Sequence, residues 1–152
     1  KDSHFDIITF AGSLYYAKSQ ELLDEVIRVG KQNAKIIVYD FEILLNETLY
    51  QLNIDQNDKI VSNYNHQENF SELDEEYLQI AKSVKGETSI ALTSTQLSHL
   101  LLSSKGNYAM LREKIGHDKL HENLKDNLEQ IANHKQHQLM AKIYYSMYSC
   151  VK

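Results

Sequence analysis

Three groups of residues in this 152-residue chain have types and spacings suited to chemistry at a strand edge. Phe10, Ala11, Gly12 and Ser13 close an apolar run that begins at Phe5. Gly12 is the residue over which a ligand could come closest to the backbone. Tyr15 and Tyr16 follow at once, and each offers an apolar face and a hydroxyl. Asp40 closes a second apolar run, Ala34 to Tyr39, with Glu42 just beyond. A base could act from that position; the plainer alternatives are a solvated acid or, for Glu42 above all, a helix N-cap. Parallel sheets bind ligands at the C-terminal ends of their strands, where both groups would fall.

Other reactive types carry less. Seven histidines invite a metal reading, and His117 and His121 stand at i, i+4, where they could share one helix face. The stretch lacks the glutamate of an H-E-x-x-H site, and the chain has no cysteine pair, so no metal is expected. Solvated surface histidines are the default. Cys150 has no adjacent His or Lys to activate it and reads as a small buried hydrophobe. Glu72, Asp74, Glu75 and Glu76 read as a solvated helix face. Neither a P-loop nor a G-x-S-x-G elbow occurs.

The elements that must position the strand-edge residues are legible from periodicity. Phe5 to Phe10 is apolar on both faces, as in a strand covered by helices on either side. Leu22, Leu23, Val26 and Ile27 form a helical stripe over Ser19–Val29. Ser19 is a natural N-cap and Gly30 a natural C′ residue. Lys31, Gln32 and Asn33 read as a polar turn into the second strand, which runs from Lys35 to Phe41. This apolar–amphipathic–apolar order predicts two adjacent parallel strands joined by a helical crossover. Further on, Leu44 to Leu52 suggests a short helix, 53–70 a loop, and Leu73 to Val84 a weak helix. Thr93 and Gln96 make a capping-box pattern before Leu97, Leu100 and Leu101. Tyr108 to Ile115 and Leu120, Leu124, Leu128 and Ile131 mark two more helices. The C-terminus alternates as a strand. Ala141, Ile143, Tyr145, Met147 and Val151 fall on one face; Lys142, Tyr144, Ser146, Tyr148 and Cys150 fall on the other.

Composition is that of an ordinary globular domain, with 42% hydrophobic and 24% charged residues. The net charge is −5 and there is no basic tract, which argues against nucleic acid as a partner. No apolar run approaches a membrane span, and the opening residues do not form a signal peptide. A lone cysteine fits a reducing cytoplasm. The absence of proline reads as a base-composition effect.

These residues resemble the class I S-adenosylmethionine-dependent methyltransferases. The family's fourth strand, an F-D-hydrophobic-hydrophobic run followed by small and aromatic residues, is similar to Phe5, Asp6, Ile7 and Ile8 through Gly12, Ser13, Leu14, Tyr15 and Tyr16. Its following helix resembles Leu23 to Lys31, with Gln32 and Asn33 where a Gly pair is usual. Its fifth strand resembles Ile36 to Asp40. Ser89 to Thr93, Gln96, Leu97 and Leu100 to Ser104 look like the C-terminal segment of one bacterial subfamily. The family's Gly-rich first turn and its ribose-binding acid are absent from this sequence.

The resemblance implies a Rossmann-like α/β fold, mostly parallel, with an antiparallel C-terminal strand and added helices. It implies that residues 1–152 are the C-terminal part of one methyltransferase domain, with 53–137 a loop-and-helix insertion or cap. The cofactor would be S-adenosylmethionine, with its methionine part beside Phe10, Ala11, Gly12 and Ser13. A small-molecule acceptor would meet Tyr15, Tyr16 and Asp40. The missing N-terminal half, or a partner chain, would complete the site. On this reading Gly12→Val should weaken cofactor binding while sparing the fold. The alternative is a non-catalytic α/β module that completes a partner's sheet; a nicotinamide-dependent enzyme fits the topology but not the tyrosine pair.

Overall fold

The computed structural model describes residues 2–54, 63–132 and 136–152. The first strand, β1 (Phe5–Ala11), ends in a 3-10 turn over Leu14–Tyr16. Helix α1 (Gln20–Val29) leads into β2 (Gly30–Ile43) and the short α2 (Asn46–Gln51). Strand β3 (Leu78–Leu92) is followed by α3 (Ser94–Ser103), α4 (Lys105–Ile115) and α5 (Leu120–Ile131). The last element is β4 (His137–Cys150).

The described strands form one sheet in the order β1-β2-β4-β3. β1 and β2 run parallel, with Ile8 opposite Ile36 and Ala11 opposite Tyr39, as the crossover pattern predicts. The expected antiparallel C-terminal strand is β4. Lys35 meets Ser149, Glu42 meets Lys142, and the Leu44 N–H donates to the Met140 carbonyl, so residue numbers rise along β2 as they fall along β4. β3 opposes β4 in the same way: Ser89 bonds Gln138, and the Val151 N–H donates to the Tyr77 carbonyl. The parallel part of this sheet is therefore the β1–β2 pair.

Local chemistry explains the crossover. Ser19 Oγ accepts from the Leu22 N–H at 3.2 Å, satisfying a donor that the first turn of α1 leaves free. The expected left-handed C′ role of Gly30 is not what the structure shows. Gly30 has an ordinary φ of −68°, and a Cβ there would lie 3.1 Å from the Val26 carbonyl oxygen, close enough that the helix end would have to shift by a few tenths of an ångström. The polar turn Lys31–Asn33 is absorbed into β2. Three extra residues there break the register between Phe5 opposite Gly30 and Ile7 opposite Lys35, with Asn33 at φ 65°.

The chain forms two compact units. The first contains residues up to 42, with 63–87 and 142–152. Its core includes Leu14, Leu23, Val26, Ile36, Phe70 and Tyr148. Phe70 stands edge-on to both Phe10 and Tyr148, with centroids 5.6 and 5.7 Å away, and its N–H donates to the Tyr148 hydroxyl. The second unit contains the described residues of 43–62 and 88–141. It buries Leu49, Leu97, Leu101, Leu111, Leu124 and Leu128. Thr93 forms the expected capping box with Gln96 at the start of α3.

Further expectations fail for stated reasons. Leu73–Val84 is not helical: 73–77 are bend, turn and irregular backbone, and Leu78 onward belongs to β3. That strand is exposed along nearly its whole length, so backbone pairing with β4 fixes it rather than burial of an apolar face. The acidic run therefore lies outside any helix, with Glu72 at φ 73°. His117 precedes α5 and is 69% exposed at its side chain, so it shares no helix with His121. On β4 the buried face changes phase: His137, Leu139 and Ala141 are buried, then Ser146, Tyr148 and Cys150. Leu139 joins the core of the second unit while Tyr148 and Cys150 join that of the first, so neither predicted face is buried throughout. Val151 lies beyond the strand end.

Leu23 is fully buried at the centre of the crossover helix. Leu23→Ala should cost about 2–5 kcal/mol of stability, the usual range for a truncated core leucine. Chemical denaturation of the two proteins checks this. A change below about 1 kcal/mol would show that α1 is not packed against the sheet.

Candidate functional site

The C-terminal edge of the parallel pair gathers the candidate residues within the first unit. β1 stops at Ala11 and the chain turns through Gly12 at φ 61°, a left-handed conformation that side-chain-bearing residues reach only at a cost. The Gly12 N–H donates to the Tyr39 carbonyl at 2.9 Å, which places Asp40 beside the turn. Asp40 does not end its strand; β2 continues to Ile43 along β4. It does mark the end of the β1–β2 pairing.

The Asp40 carboxylate is a hub. One oxygen, Oδ1, accepts from the Phe41 N–H at 2.7 Å. The other, Oδ2, lies 2.8 Å from the Tyr64 hydroxyl and 3.1 Å from His66 Nδ1. Tyr64 Oη is also 2.6 Å from the Gly12 carbonyl oxygen. A phenol has one hydrogen to give, so the two oxygens compete for it. Burial first, and then the adjacent Asp40 carboxylate, push the Tyr64 hydroxyl up to about 12. A half-buried ion pair between Lys18 and Glu68, at 2.8 Å, ties the same loop to the segment after the turn. Burial pushes the Glu68 carboxyl up, but the Lys18 ammonium together with hydrogen bonds from the Asn65 side chain and the Asn69 backbone outweighs it and leaves the group below its ordinary value.

Aromatic rings fill the space around this hub. Tyr15 and Tyr16 pack on Tyr64 with centroids 4.7 and 5.5 Å away, and Tyr64 packs on His66 at 4.7 Å. Tyr16 remains 77% exposed. Of the four strand-end residues, Phe10 turns its ring into the core against Phe70. Ala11 and Ser13 are exposed, and Gly12 is half-buried. A Cβ on Gly12 would meet Asp40 Oδ1 at 3.3 Å and Tyr64 Oη at 3.4 Å.

Two small clefts flank the hub, of about 10 and 20 Å³, each about the size of one water. One is bordered by Gly12, Ser13, Tyr15 and Tyr64, the other by Lys85 and Tyr144, and Asp40, His66 and Glu68 line both. Tyr64, His66 and Glu68 escape sequence reasoning. They lie in a stretch without periodicity, more than twenty residues from Asp40, and only their alternation with polar residues marks them.

No known family profile matches the chain, and no curated protein matches it by sequence. Its fold is the Rossmann-like α/β fold of solved methyltransferases. It is similar to a candidate type II methyltransferase from Anaeromyxobacter dehalogenans, with a TM-score of 0.58 and 12% identity over 99% of this chain and 66% of that one. A candidate methyltransferase from Bacillus halodurans matches over 100% of this chain and 67% of its own, at 11% identity and a TM-score of 0.43. A candidate sarcosine dimethylglycine methyltransferase from Galdieria sulphuraria matches over 99% and 55%, at 13% identity and a TM-score of 0.42. The chain thus spans about two-thirds of the first of these proteins.

Two measurements probe the hub. Gly12→Ala should lower stability by about 1–2 kcal/mol through its positive φ alone. The neighbouring Asp40 and Tyr64 oxygens leave a larger side chain less room still, so Gly12→Val is not expected to spare the fold. Tyr64 supplies the second test. Its folded-state proton is held up to about 12 against an ordinary 10.0, so its contribution is complete below pH 10 and is lost as the pH rises toward 12. Denaturant titrations across that range should show a smaller alkaline loss in Tyr64→Phe than in the parent. Parallel curves would mean that the hydroxyl is not held as described.

Proposed function

We propose that this chain is the C-terminal part of a methyltransferase domain that uses S-adenosylmethionine to methylate a small molecule. The observation that carries the reading is the left-handed Gly12 turn at the end of β1, beside Asp40 on the parallel neighbour β2. Phe10, Ala11, Gly12 and Ser13 would border the cofactor, and Tyr15, Tyr16 and Asp40 the acceptor. When bound, the cofactor supplies an electrophilic methyl group, and methyl transfer then depends largely on alignment of the two reactants.

The described residues supply one wall for such a ligand rather than a cradle. The Gly12 N–H is engaged by Tyr39, its carbonyl by Tyr64, and the flanking clefts are far smaller than the roughly 300 Å³ of an ordinary ligand pocket. The remaining walls would come from the N-terminal half of the domain or from a partner chain. Residues 53–137 would act as an insertion or cap. No helix among the described residues is long and apolar enough to cross a membrane. A cytoplasmic setting fits the one buried cysteine.

A second reading has its own support. β1 is an edge strand, and Phe5 and Ile7 on it are 49% and 60% exposed. A non-catalytic module that completes a partner's sheet would present such an edge. Both readings place another strand on β1, and only the first requires methyl transfer.

Calorimetry with S-adenosylmethionine tests the one-wall account. These 152 residues alone should show no binding in the micromolar range, or about −8 kcal/mol. The protein in the form the cell makes should bind the cofactor and release S-adenosylhomocysteine when given a small acceptor. Micromolar binding by the 152 residues would overturn the one-wall account. A cell-made protein that neither binds nor turns over the cofactor would favour the module.

A further inference from the structure

We propose that His66 is the general base that takes the proton from the methyl acceptor, with Asp40 as its positioning residue. The inference rests on the methyl-transfer reading and narrows the acceptor to a nucleophile with a dissociable proton: a hydroxyl, a thiol or a protonated amine.

The geometry fixes the tautomer of the neutral imidazole. His66 Nδ1 lies 3.1 Å from Asp40 Oδ2, and an ionised carboxylate can only accept. Nδ1 therefore carries a hydrogen, and in the neutral ring Nε2 presents a bare lone pair. Nε2 has no hydrogen-bond partner among the described residues. The ring packs edge-on against Tyr64 at 4.7 Å and lies nearly parallel to Tyr144, with centroids 6.5 Å and planes 19° apart. Asp40 is itself fixed by the Phe41 N–H and the Tyr64 hydroxyl. Side-chain exposure is 17% for Asp40 and 31% for His66, so the carboxylate is sheltered while the ring edge can still exchange protons with water.

Other histidines lack this arrangement. His137 Nε2 is 3.0 Å from Ser94 Oγ and His121 Nε2 is 3.0 Å from Ser98 Oγ, so both are occupied. His117 meets its carboxylate only at 3.9 Å, on the open surface. Only His66 among these pairs a sheltered carboxylate on one nitrogen with an open second nitrogen. It also borders both clefts at the strand edge.

The step balances. A lone pair on the acceptor atom forms the bond to the methyl carbon as the carbon–sulfur bond breaks. Its electron pair goes to sulfur, turning the sulfonium into a neutral thioether. The acceptor proton passes to His66 Nε2, before attack where the acceptor is a protonated amine so that its lone pair is freed, and the resulting imidazolium is held by the Asp40 carboxylate until water takes the proton. No oxidant, reductant or metal is required.

The test uses the protein in the form the cell makes, with nitrogen-15 label in its histidines. Imidazole shifts of the wild type at neutral pH should show His66 protonated at Nδ1 and bare at Nε2, and Asp40→Asn should erase that preference. A purely structural ring contact would leave the tautomer unchanged in Asp40→Asn. Methyl transfer is then measured as S-adenosylhomocysteine released with a set of small hydroxyl, thiol and amine acceptors. In His66→Gln, kcat should fall by about 10²-fold or more, the usual contribution of a general base, with S-adenosylmethionine affinity unchanged. Transfer by the wild type but equal transfer by His66→Gln overturns the base and leaves the methyltransferase reading intact. No transfer by the wild type removes both. If His66→Gln fails to fold, the wild-type tautomer decides: a hydrogen found on Nε2 overturns the proposal.

Discussion

The carboxylate of Asp40 is the interaction on which the strand edge depends. A carboxylate taken out of water must find donors, and three reach it here: the Phe41 N–H, the Tyr64 hydroxyl and His66 Nδ1. They answer to two constraints. The backbone donor is its own strand neighbour. The other two arrive on the loop that Lys18 and Glu68 anchor. Removing the carboxylate would leave a tyrosine and a histidine facing each other over the Gly12 turn with no common acceptor. The cost would exceed that of one ordinary hydrogen bond, because the half-buried groups left behind stay desolvated.

Gly12 and Asp40 belong together for a geometric reason. The Gly12 N–H completes the ladder to Tyr39, so the next residue of β2 must stand next to the turn. A left-handed residue there lets the chain leave the sheet at once and start the 3-10 turn that presents Tyr15 and Tyr16. The absence of a Cβ is then used twice, for the φ of 61° and for the space taken by Asp40 and Tyr64. The proposed function at this edge thus rests on backbone shape before any side chain acts, in keeping with ligand binding at the C-terminal ends of parallel strands.

Much of this could be read from residue order. The β1–α1–β2 unit was legible because apolar runs flanked an amphipathic stripe with a serine cap, and Thr93 with Gln96 announced α3. Periodicity misled where burial did not set structure. β3 is exposed along its length, so its side chains carry no apolar alternation and only its pairing with β4 reveals it. In the sequence Gly30 suits a helix C′ position, because close approach to the Val26 carbonyl leaves no mark there. Phe10, Ala11, Gly12, Ser13, Tyr15, Tyr16 and Asp40 were visible as candidates, and the structure brings Gly12, Tyr15 and Tyr16 together with Asp40 around Tyr64. Tyr64 and His66 were not visible, since long-range hydrogen bonds to a loop obey no spacing rule.

The central claim is that the edge at Phe10–Ser13 and Asp40 faces the cofactor. Backbone amide shifts of the cell-made protein, followed while S-adenosylhomocysteine is added, test it most directly. The account predicts the largest changes at Phe10, Ala11, Gly12, Ser13 and Asp40, with α3, α4 and α5 little affected. Changes centred on those helices, with the strand edge silent, would contradict it.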